Sequence, residues 1–290
     1  MIVTADIAEV RAARWAEVGL SWGLVPTMGY LHRGHLALVD RARAENDRTA
    51  ATIFVNPAQF GPGEDLATYP QNLEGDLALL KQAGVDLVFT PSEAVIYPPD
   101  YQTYVTVEAV ARPLEGASRS THFRGVATVV AKLFNIVQPA RAYFGQKDAQ
   151  QTVVIRRMTA DLNFNLEIVI CPTVREADGL ALSSRNAYLS PPERAAATVL
   201  YRALTTAKEA LSGGERNGDT LRGLMRSVVN REPLARLDYV SVANPLTLQE
   251  LSQVANGALF SLAVFIGKTR LIDNILYEYV GVNKMLHKWI

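Results

Sequence analysis

Along the first part of the chain, short apolar runs that predict strands alternate with segments of helical apolar spacing that predict helices. The short apolar runs that predict strands lie at residues 22–25, 52–55, 85–89, 142–144 and 166–170. The segments with helical spacing lie at residues 6–18, 36–46, 73–83, 126–137 and 149–162. Polar or Gly- and Pro-rich stretches at 56–63 and 116–125 predict loops, and residues 101–107 predict a further strand at a sheet edge. Strands that alternate with helices favour a parallel sheet with covering helices.

The pattern changes after Pro172. Helical spacing at 193–211 and 220–229 is followed by strand-like runs at 237–242, 259–266 and 271–277. Helices followed by strands are typical of a small α+β domain. The sequence therefore predicts an α/β protein with a Rossmann-like, doubly wound parallel-sheet domain over residues 1–173. A smaller α+β C-terminal domain is predicted over residues 174–290.

The charge balance argues against two classes of protein. The 290 residues carry 29 Lys and Arg against 29 Asp and Glu, so the net charge is zero. Proteins that bind nucleic acid or a membrane surface through a basic face need an excess of positive charge.

No apolar run reaches membrane-spanning length, and the N-terminal residues lack the features of a secretory leader. Cys171, the single cysteine, is expected to be a small buried residue. We expect a cytoplasmic protein that binds neither nucleic acid nor membrane.

Two histidines lie where the first predicted strand gives way to a helix. Residues 26–35 read P-T-M-G-Y-L-H-R-G-H. The start of a helix offers unpaired backbone N–H groups and the positive end of the helix dipole, which together bind phosphate. His32 and His35 are three residues apart on one side of the first turn, and Gly34 lets a ligand approach the backbone. We favour a nucleotide-phosphate site over two alternatives, partner-satisfied structural histidines and half of a metal site.

Further polar groups follow other predicted strands. Ligands of a doubly wound sheet bind beyond the carboxyl ends of its strands. Asn56 and Gln59 follow the second predicted strand, and Lys147 stands in a strand-to-helix turn where it can meet phosphate as a point charge. Asp148 is suited either to binding a ribose hydroxyl or to capping the next helix.

Two common phosphate motifs are missing. No G-x-G-x-x-G follows the first predicted strand, which disfavours a dinucleotide site. The residues Gly267-Lys268-Thr269 resemble the end of a P-loop, but Leu262 stands where its first glycine belongs. The polar segment 174–186 would by itself be interpreted as an ordinary loop.

Several motifs together resemble one family. The H-x-G-H at residues 32–35 is similar to the motif shared by nucleotidylyltransferases and class I aminoacyl-tRNA synthetases. The stretches Q-K-D-A-Q-Q and D-G-L-A-L-S-S-R-N are more specific, and with them the chain resembles the pantothenate synthetases, or pantoate–β-alanine ligases. The matching stretches are residues 26–35, 54–60, 114–126, 132–137, 144–158, 172–189 and 269–274.

The resemblance implies a two-step reaction. Pantoate attacks the α-phosphate of Mg-ATP to give pantoyl adenylate and pyrophosphate, and the amine of β-alanine then displaces AMP to give pantothenate. In the family pattern His35 is the proton donor, and His32 and Lys147 are the further catalytic candidates. Gln59 and Gln151 are the implied pantoate-binding residues, and Gln59 also binds β-alanine. The ATP-binding residues implied are Met28, Gly29, Tyr30, Leu31, His32, Arg33, Gly34, His35, Gly145, Gln146, Lys147, Asp148, Val174, Leu182, Ser183, Ser184 and Arg185.

The resemblance also implies ATP as a substrate, Mg²⁺ as a cofactor with unassigned ligands, a homodimer, and a C-terminal domain that acts as a lid. The chain departs from the family pattern at two places. The stretch 119–123 reads R-S-T-H-F instead of R-P-G-H-F, and 69–71 reads Y-P-Q instead of Y-P-R. Two other functions stay open. One is another adenylyl-transferring enzyme of the H-x-G-H type, which would need further basic residues for a phosphorylated substrate. The other is a non-catalytic nucleotide-binding protein, which the presence of His35 and Lys147 disfavours.

Overall fold

The computed structural model describes residues 1–278. Contacts within the chain divide it into two compact units. The first unit holds residues 1–145 and 154–172, and the second holds residues 146–153 and, of the described residues, 173–278. None of the helices within residues 1–278 is both long and apolar enough to cross a membrane.

A six-stranded parallel sheet forms the centre of the first unit. Its strands are β1 (Ile2–Thr4), β2 (Trp22–Thr27), β3 (Arg48–Ile53), β4 (Leu87–Phe89), β5 (Arg141–Gly145) and β6 (Glu167–Cys171). They lie in the order β1-β4-β3-β2-β5-β6, and every neighbouring pair is parallel. The chain runs outward from β2 to β4 and then in the other direction through β5 to β6, so the order reverses between β2 and β5. The predicted doubly wound sheet is confirmed, and such a reversal is where ligands of these folds bind.

Helices cover both faces of this sheet. The helices in this part of the chain are α1 (Ile7–Trp15), α2 (Arg33–Glu45), α3 (Leu73–Gln82), α4 (Glu93–Ile96), α5 (Glu115–Ser118), α6 (His122–Val137) and α7 (Ala149–Asp161), and residues 149–153 of α7 belong to the second unit. Successive strand residues point to opposite faces. Leu24 packs in one core with Val130 and Phe134 of α6, whereas Val25 packs in another with Val39 of α2. Both faces of β2 are therefore buried, which explains its continuous apolar run.

The second unit is an α+β arrangement, as predicted. Its antiparallel sheet has the order β7-β8-β9, with β7 at Ala235–Ala243, β8 at Gly257–Ile266 and β9 at Thr269–Glu278. Its further helices are α8 (Pro191–Ala196), α9 (Val199–Ser212) and α10 (Gly218–Val229). Leu204 of α9 and Leu221 of α10 share a core with Phe260 and Leu262, which lie on one face of β8.

Two strand predictions need correction, and one strand was not predicted. β3 begins at Arg48 rather than residue 52, because the buried Ala50 and Ala51 give no large apolar signal. β1 is missing from the prediction, since three residues are too few to show a period. Residues 101–107 do not form a strand. The Val105 N–H donates instead to the Thr128 hydroxyl at 3.0 Å.

Two helical regions also differ from the prediction. The predicted loop 116–125 is largely helical, because it contains most of α5 and the start of α6, and Thr121 makes no side-chain capping bond that would mark that start. The single helix predicted over 193–211 is two helices, α8 and α9. At the break, the Thr198 hydroxyl donates to the Ala195 carbonyl at 2.9 Å, a local bond that competes with the helical pattern.

Candidate active site

The chain turns sharply after β2, and a buried carboxylate holds the turn. Gly29 has a φ of +88° and Tyr30 a φ of +52°, both in the left-handed region that glycine adopts without strain. Asp76 of α3 is 3% exposed. It accepts hydrogen bonds from the backbone N–H groups of Tyr30 at 2.8 Å and Leu31 at 2.7 Å. These bonds fix the path along which the chain enters α2.

His32 and His35 form the cap of α2. His32 Nδ1 accepts the Gly34 N–H at 3.1 Å, and His35 Nδ1 accepts the His32 N–H at 3.3 Å. The two ring centroids lie 4.1 Å apart. A ring nitrogen that accepts carries no hydrogen, so each neutral imidazole bears its hydrogen on Nε2. The start of α2 thus combines the positive end of a helix dipole with two imidazole Nε2–H groups, which suits a phosphate.

Gln59 lies in a buried amide network after β3. It ends the 3₁₀ turn Pro57–Gln59 and is 9% exposed. Its Nε2 lies 3.1 Å from Met28 Sδ, and its Oε1 accepts from Asn56 Nδ2 at 3.0 Å. Asn56 Oδ1 accepts the Tyr97 hydroxyl at 2.8 Å, and burial raises the pKa of Tyr97, which keeps that hydroxyl a donor. A fixed, uncharged amide of this kind suits a small hydroxy acid.

Helix α6 packs closely against this turn at Gly125. A Cβ at Gly125 would lie 2.2 Å from the Ala58 carbonyl oxygen, so any residue other than glycine would clash there. The Gly125 carbonyl accepts Asn56 Nδ2 at 3.2 Å. The position of the Gln59 amide therefore depends on the absence of a side chain at residue 125 of α6.

Arg119 and His122 hold Gln59 through its backbone carbonyl. His122 Nδ1 donates to the Gln59 carbonyl at 2.9 Å, and its Nε2 lies 3.3 Å from Arg119 Nη1. Burial, assisted by the Arg119 charge, lowers the pKa of His122 to about 4, so the ring is neutral at neutral pH. Arg119 donates to both carboxylate oxygens of Glu64, at 2.8 and 2.6 Å. The R-S-T-H-F stretch thus keeps an arginine and a histidine that hold the loop carrying Gln59.

The second unit contains the turn that carries Lys147. Residues 146–148 form a 3₁₀ turn that leads into α7, and Gln151 lies in the first turn of that helix. Lys147 Nζ lies 3.6 Å from Asp148 Oδ1. The Asn274 side chain of β9 donates to the carbonyl oxygens of Gln146 and Lys147.

The segment 174–186 is a folded hairpin rather than the ordinary loop that its composition indicates. The Leu182 N–H donates to the Val174 carbonyl at 3.0 Å and closes the hairpin. Ser183 Oγ then accepts the Arg185 N–H at 3.3 Å, which starts a 3₁₀ turn. These hydrogen bonds therefore hold the segment that carries Ser183, Ser184 and Arg185 in one conformation.

The predicted site residues are divided between the units. In the first unit, residues 28–35 and Gln59 lie together after β2 and β3, and Gly145 ends the neighbouring strand β5. The second unit holds residues 146–148, Gln151, Val174 and residues 182–185. Their roles toward ATP, pantoate and β-alanine stay predictions.

Four residues without a role in the sequence analysis hold these groups in place: Asp76, Tyr97, Asp273 and Asn274. Asp76 stands four residues before the fully buried Leu80, on the buried side of α3, where a carboxylate needs a partner. Asp273 and Asn274 interrupt the strand-like run at 271–277 and are 3% and 4% exposed. In the sequence, the signal that could have identified Asp76, Asp273 and Asn274 is a polar residue at a position where the pattern predicts an apolar one.

The described residues offer single carboxylates, rather than a cluster, to an Mg²⁺ ion carried by ATP. Within residues 1–278, no three His, Cys, Asp or Glu side chains form a group that could hold a metal. Mg²⁺ bound to phosphates needs only one or two protein carboxylates, and Asp148 beside Lys147 is one of this kind.

Almost the whole chain matches one protein family. The family model described as Pantoate-beta-alanine ligase matches residues 2–276. The chain belongs to the pantoate–β-alanine ligase family. The pantothenate synthetase of Roseiflexus sp. (strain RS-1) is 64% identical over 278 residues, which cover 96% of this chain and 100% of that protein. The resemblance read from the motifs is confirmed.

Solved structures of pantoate–β-alanine ligases share the fold. Pantothenate synthetase from Thermus thermophilus matches with a TM-score of 0.91 at 51% identity, over 95% of this chain and 99% of that one. The pantoate–β-alanine ligase from Francisella tularensis, complexed with Beta-gamma ATP and β-alanine, matches with a TM-score of 0.79 at 37% identity, over 95% and 97%. The chain is therefore a ligase that joins pantoate to β-alanine.

Proposed function

We propose that the chain joins pantoate to β-alanine through a pantoyl-adenylate intermediate, with release of pyrophosphate and then AMP. The observation that carries the proposal is the pair of histidines at the start of α2. Both rings accept a backbone N–H at Nδ1 and so carry hydrogen on Nε2. Donors fixed in this way favour a reaction that builds negative charge on phosphate.

In the first step, a carboxylate oxygen of pantoate attacks the α-phosphorus of ATP. The bond from the α-phosphorus to the bridging oxygen breaks, and pyrophosphate leaves with the electron pair. Negative charge grows on the α-phosphate and on pyrophosphate, so fixed N–H groups and cations lower the barrier. We assign this role to His35, His32 and Lys147, with His35 as the proton donor.

In the second step, the amine of β-alanine attacks the activated acyl carbon. The amide bond forms, the amine loses a proton, and AMP leaves. Gln59 is proposed to bind both pantoate and β-alanine, and Gln151 to bind pantoate. The amide of Gln59 is already held by Asn56, which supports a binding role with little reorganisation.

ATP is proposed to bind at residues 28–35, 145–148, 174 and 182–185. The Francisella tularensis relative, solved with Beta-gamma ATP and β-alanine, supports a site for both compounds. Mg²⁺ would neutralise phosphate charge. A homodimer is proposed from the family resemblance, and sedimentation equilibrium at twice the mass of one chain would support it. A cytoplasmic location is proposed from the sequence features alone.

Product analysis tests the proposal. The protein is incubated with ATP, Mg²⁺, pantoate and β-alanine, and the nucleotides are separated by chromatography. AMP should appear in step with pantothenate. ADP as the nucleotide product would overturn the proposal, because it would mean that an acyl phosphate had formed.

A further inference from the structure

Asn274 makes three hydrogen bonds to the turn that carries Lys147. Its Nδ2 donates to the carbonyl oxygens of Gln146 at 2.9 Å and Lys147 at 2.8 Å. Its Oδ1 accepts Gln146 Nε2 at 3.1 Å. Carbonyl oxygens only accept, so the nitrogen of the amide must face them, and the orientation of the side chain is fixed. Both amide hydrogens are thereby used within one turn.

A buried ion pair holds Asn274 in turn. Arg175 donates to both carboxylate oxygens of Asp273, at 2.6 and 2.9 Å, and to the Asn274 carbonyl at 3.2 Å. Asp273 Oδ1 also accepts the Asn274 N–H at 2.7 Å. Burial raises the pKa of Asp273, and the Arg175 and Lys147 charges act against that rise. The backbone of Asn274 is therefore bonded at both its N–H and its carbonyl.

The same arginine is fixed by the hairpin from which it projects. Arg175 donates to the Gly179 carbonyl at 3.0 Å, and its guanidinium lies 4.3 Å from the centre of the Tyr201 ring. Gly179 has a φ of +93°, and a Cβ there would lie 2.1 Å from Tyr201 Cδ1. The hairpin, β9 and the Lys147 turn are joined in one network inside the second unit.

We infer that Asn274 is a positioning residue for Lys147, and that the Arg175–Asp273 pair keeps it in place. The inference rests on the proposed role of Lys147 in binding ATP. Asn274 sets the backbone of residues 146 and 147, and the backbone sets where the ammonium group meets phosphate. A misplacement of about 1 Å in such a group can cost as much as 10²-fold in rate.

A double-mutant cycle tests the inference on the full chain. Asn274→Ala is made in the wild type and in Lys147→Ala, and kcat/KM for ATP is measured for all four proteins. In the wild type we expect a loss of about tenfold or more. In Lys147→Ala the same change should cost less than about twofold, because the group that it positions is already gone.

Two further variants keep the test decisive. Ser261→Ala is the matched control, since Ser261 pairs with Asn274 in the sheet, is 6% exposed, and has a hydroxyl without a hydrogen-bond partner among the described residues. It should stay close to wild type in kcat/KM. If Asn274→Ala fails to fold, Asn274→Asp replaces it, because the isosteric carboxylate keeps the volume and removes both donors.

The outcomes separate the inference from the proposed function. Equal losses from Asn274→Ala in both backgrounds, or a loss no larger than that of Ser261→Ala, overturn the inference and leave the role of Lys147 intact. A Lys147→Ala protein with wild-type kcat/KM for ATP overturns the proposed role of Lys147, and the inference with it.

Discussion

Each histidine at the start of α2 is oriented by a backbone N–H, so its tautomer is set before a ligand binds. Gln59 is oriented similarly by Asn56 and by the Met28 sulfur. At the scale of single residues, the proposed site therefore contains donors whose geometry is fixed by the protein rather than by the substrate. Such preorganisation is the usual source of transition-state stabilisation by uncharged groups.

The proposed pantoate contact of Gln151 gives one prediction at this scale. Gln151→Ala should weaken pantoate binding by roughly 1–3 kcal/mol, the cost of one polar contact to a buried ligand. Steady-state kinetics should show a higher KM for pantoate and a nearly unchanged KM for ATP. An unchanged KM for pantoate together with impaired ATP binding would show that the residue is wrongly assigned.

The neutral His122 predicts a pH dependence of stability. Its pKa is about 4 in the folded protein and roughly 6.5 in the unfolded chain. Between these values the unfolded state binds more protons, so the free energy of unfolding is retained above about pH 6.5 and falls as the pH drops toward 4. Between pH 7.5 and 5, the loss from this residue should be about 2 kcal/mol.

Denaturant unfolding of wild type and His122→Asn at the two pH values measures this loss. Asparagine keeps a donor for the Gln59 carbonyl and does not titrate, so the other groups of the protein cancel in the comparison. The variant should lose about 2 kcal/mol less than the wild type between pH 7.5 and 5. Identical losses in the two proteins would contradict a neutral, buried His122.

At the scale of elements, the close approach of α6 to the turn at residues 57–59 leaves no room for a side chain at Gly125. Gly125→Ala would push a methyl group into the Ala58 backbone. The free energy of unfolding should fall by about 1–3 kcal/mol, as for overpacking generally. Because the same turn ends at Gln59, the KM for pantoate should rise.

Gly223→Ala in α10 is the matched control for Gly125→Ala. Among residues 1–278, no atom apart from its chain neighbours and the nearby backbone of its own helix lies within 4 Å of a Cβ added at Gly223. Alanine in an open helical position should raise the free energy of unfolding by about 0.5–1 kcal/mol, without a change in the KM for pantoate. Similar destabilisation by both substitutions would indicate a general sensitivity of the helices and would contradict the close contact at Ala58.

The sequence predicted the elements whose apolar signal is strong and continuous. Helix α6 and the strands β2, β8 and β9 have large apolar side chains at regular spacing. β3 was predicted too short because its centre is built from small buried residues, and the α8–α9 break was missed because no glycine or proline marks it. The sequence analysis missed Asp76 and Asn274, which hold predicted site residues in place. Both form hydrogen bonds with the backbone of residues far away in the sequence, and spacing along the chain does not reveal such bonds.

At the scale of the whole molecule, the chemistry is divided along the chain. Of the predicted site residues, the first unit holds the histidines and Gln59, and the second holds Lys147, Gln151 and the segment 182–185. Motif spacing and the family resemblance predicted these residues. In the fold, the histidines and Gln59 follow β2 and β3, which are neighbouring strands of the sheet. The boundary near residue 173 and the lid role of the C-terminal domain stay predictions.

The central claim is that an acyl adenylate forms before β-alanine reacts, with His35 assisting the departure of pyrophosphate. Its most direct test is the exchange of labelled pyrophosphate into ATP, with pantoate present and β-alanine absent. The account predicts pantoate-dependent exchange in the wild type and exchange ~10²–10³-fold slower in His35→Ala. Supplied pantoyl adenylate should react with β-alanine at a nearly normal rate in both proteins. Absence of exchange in the wild type, or equal damage by His35→Ala to both half-reactions, would contradict the account.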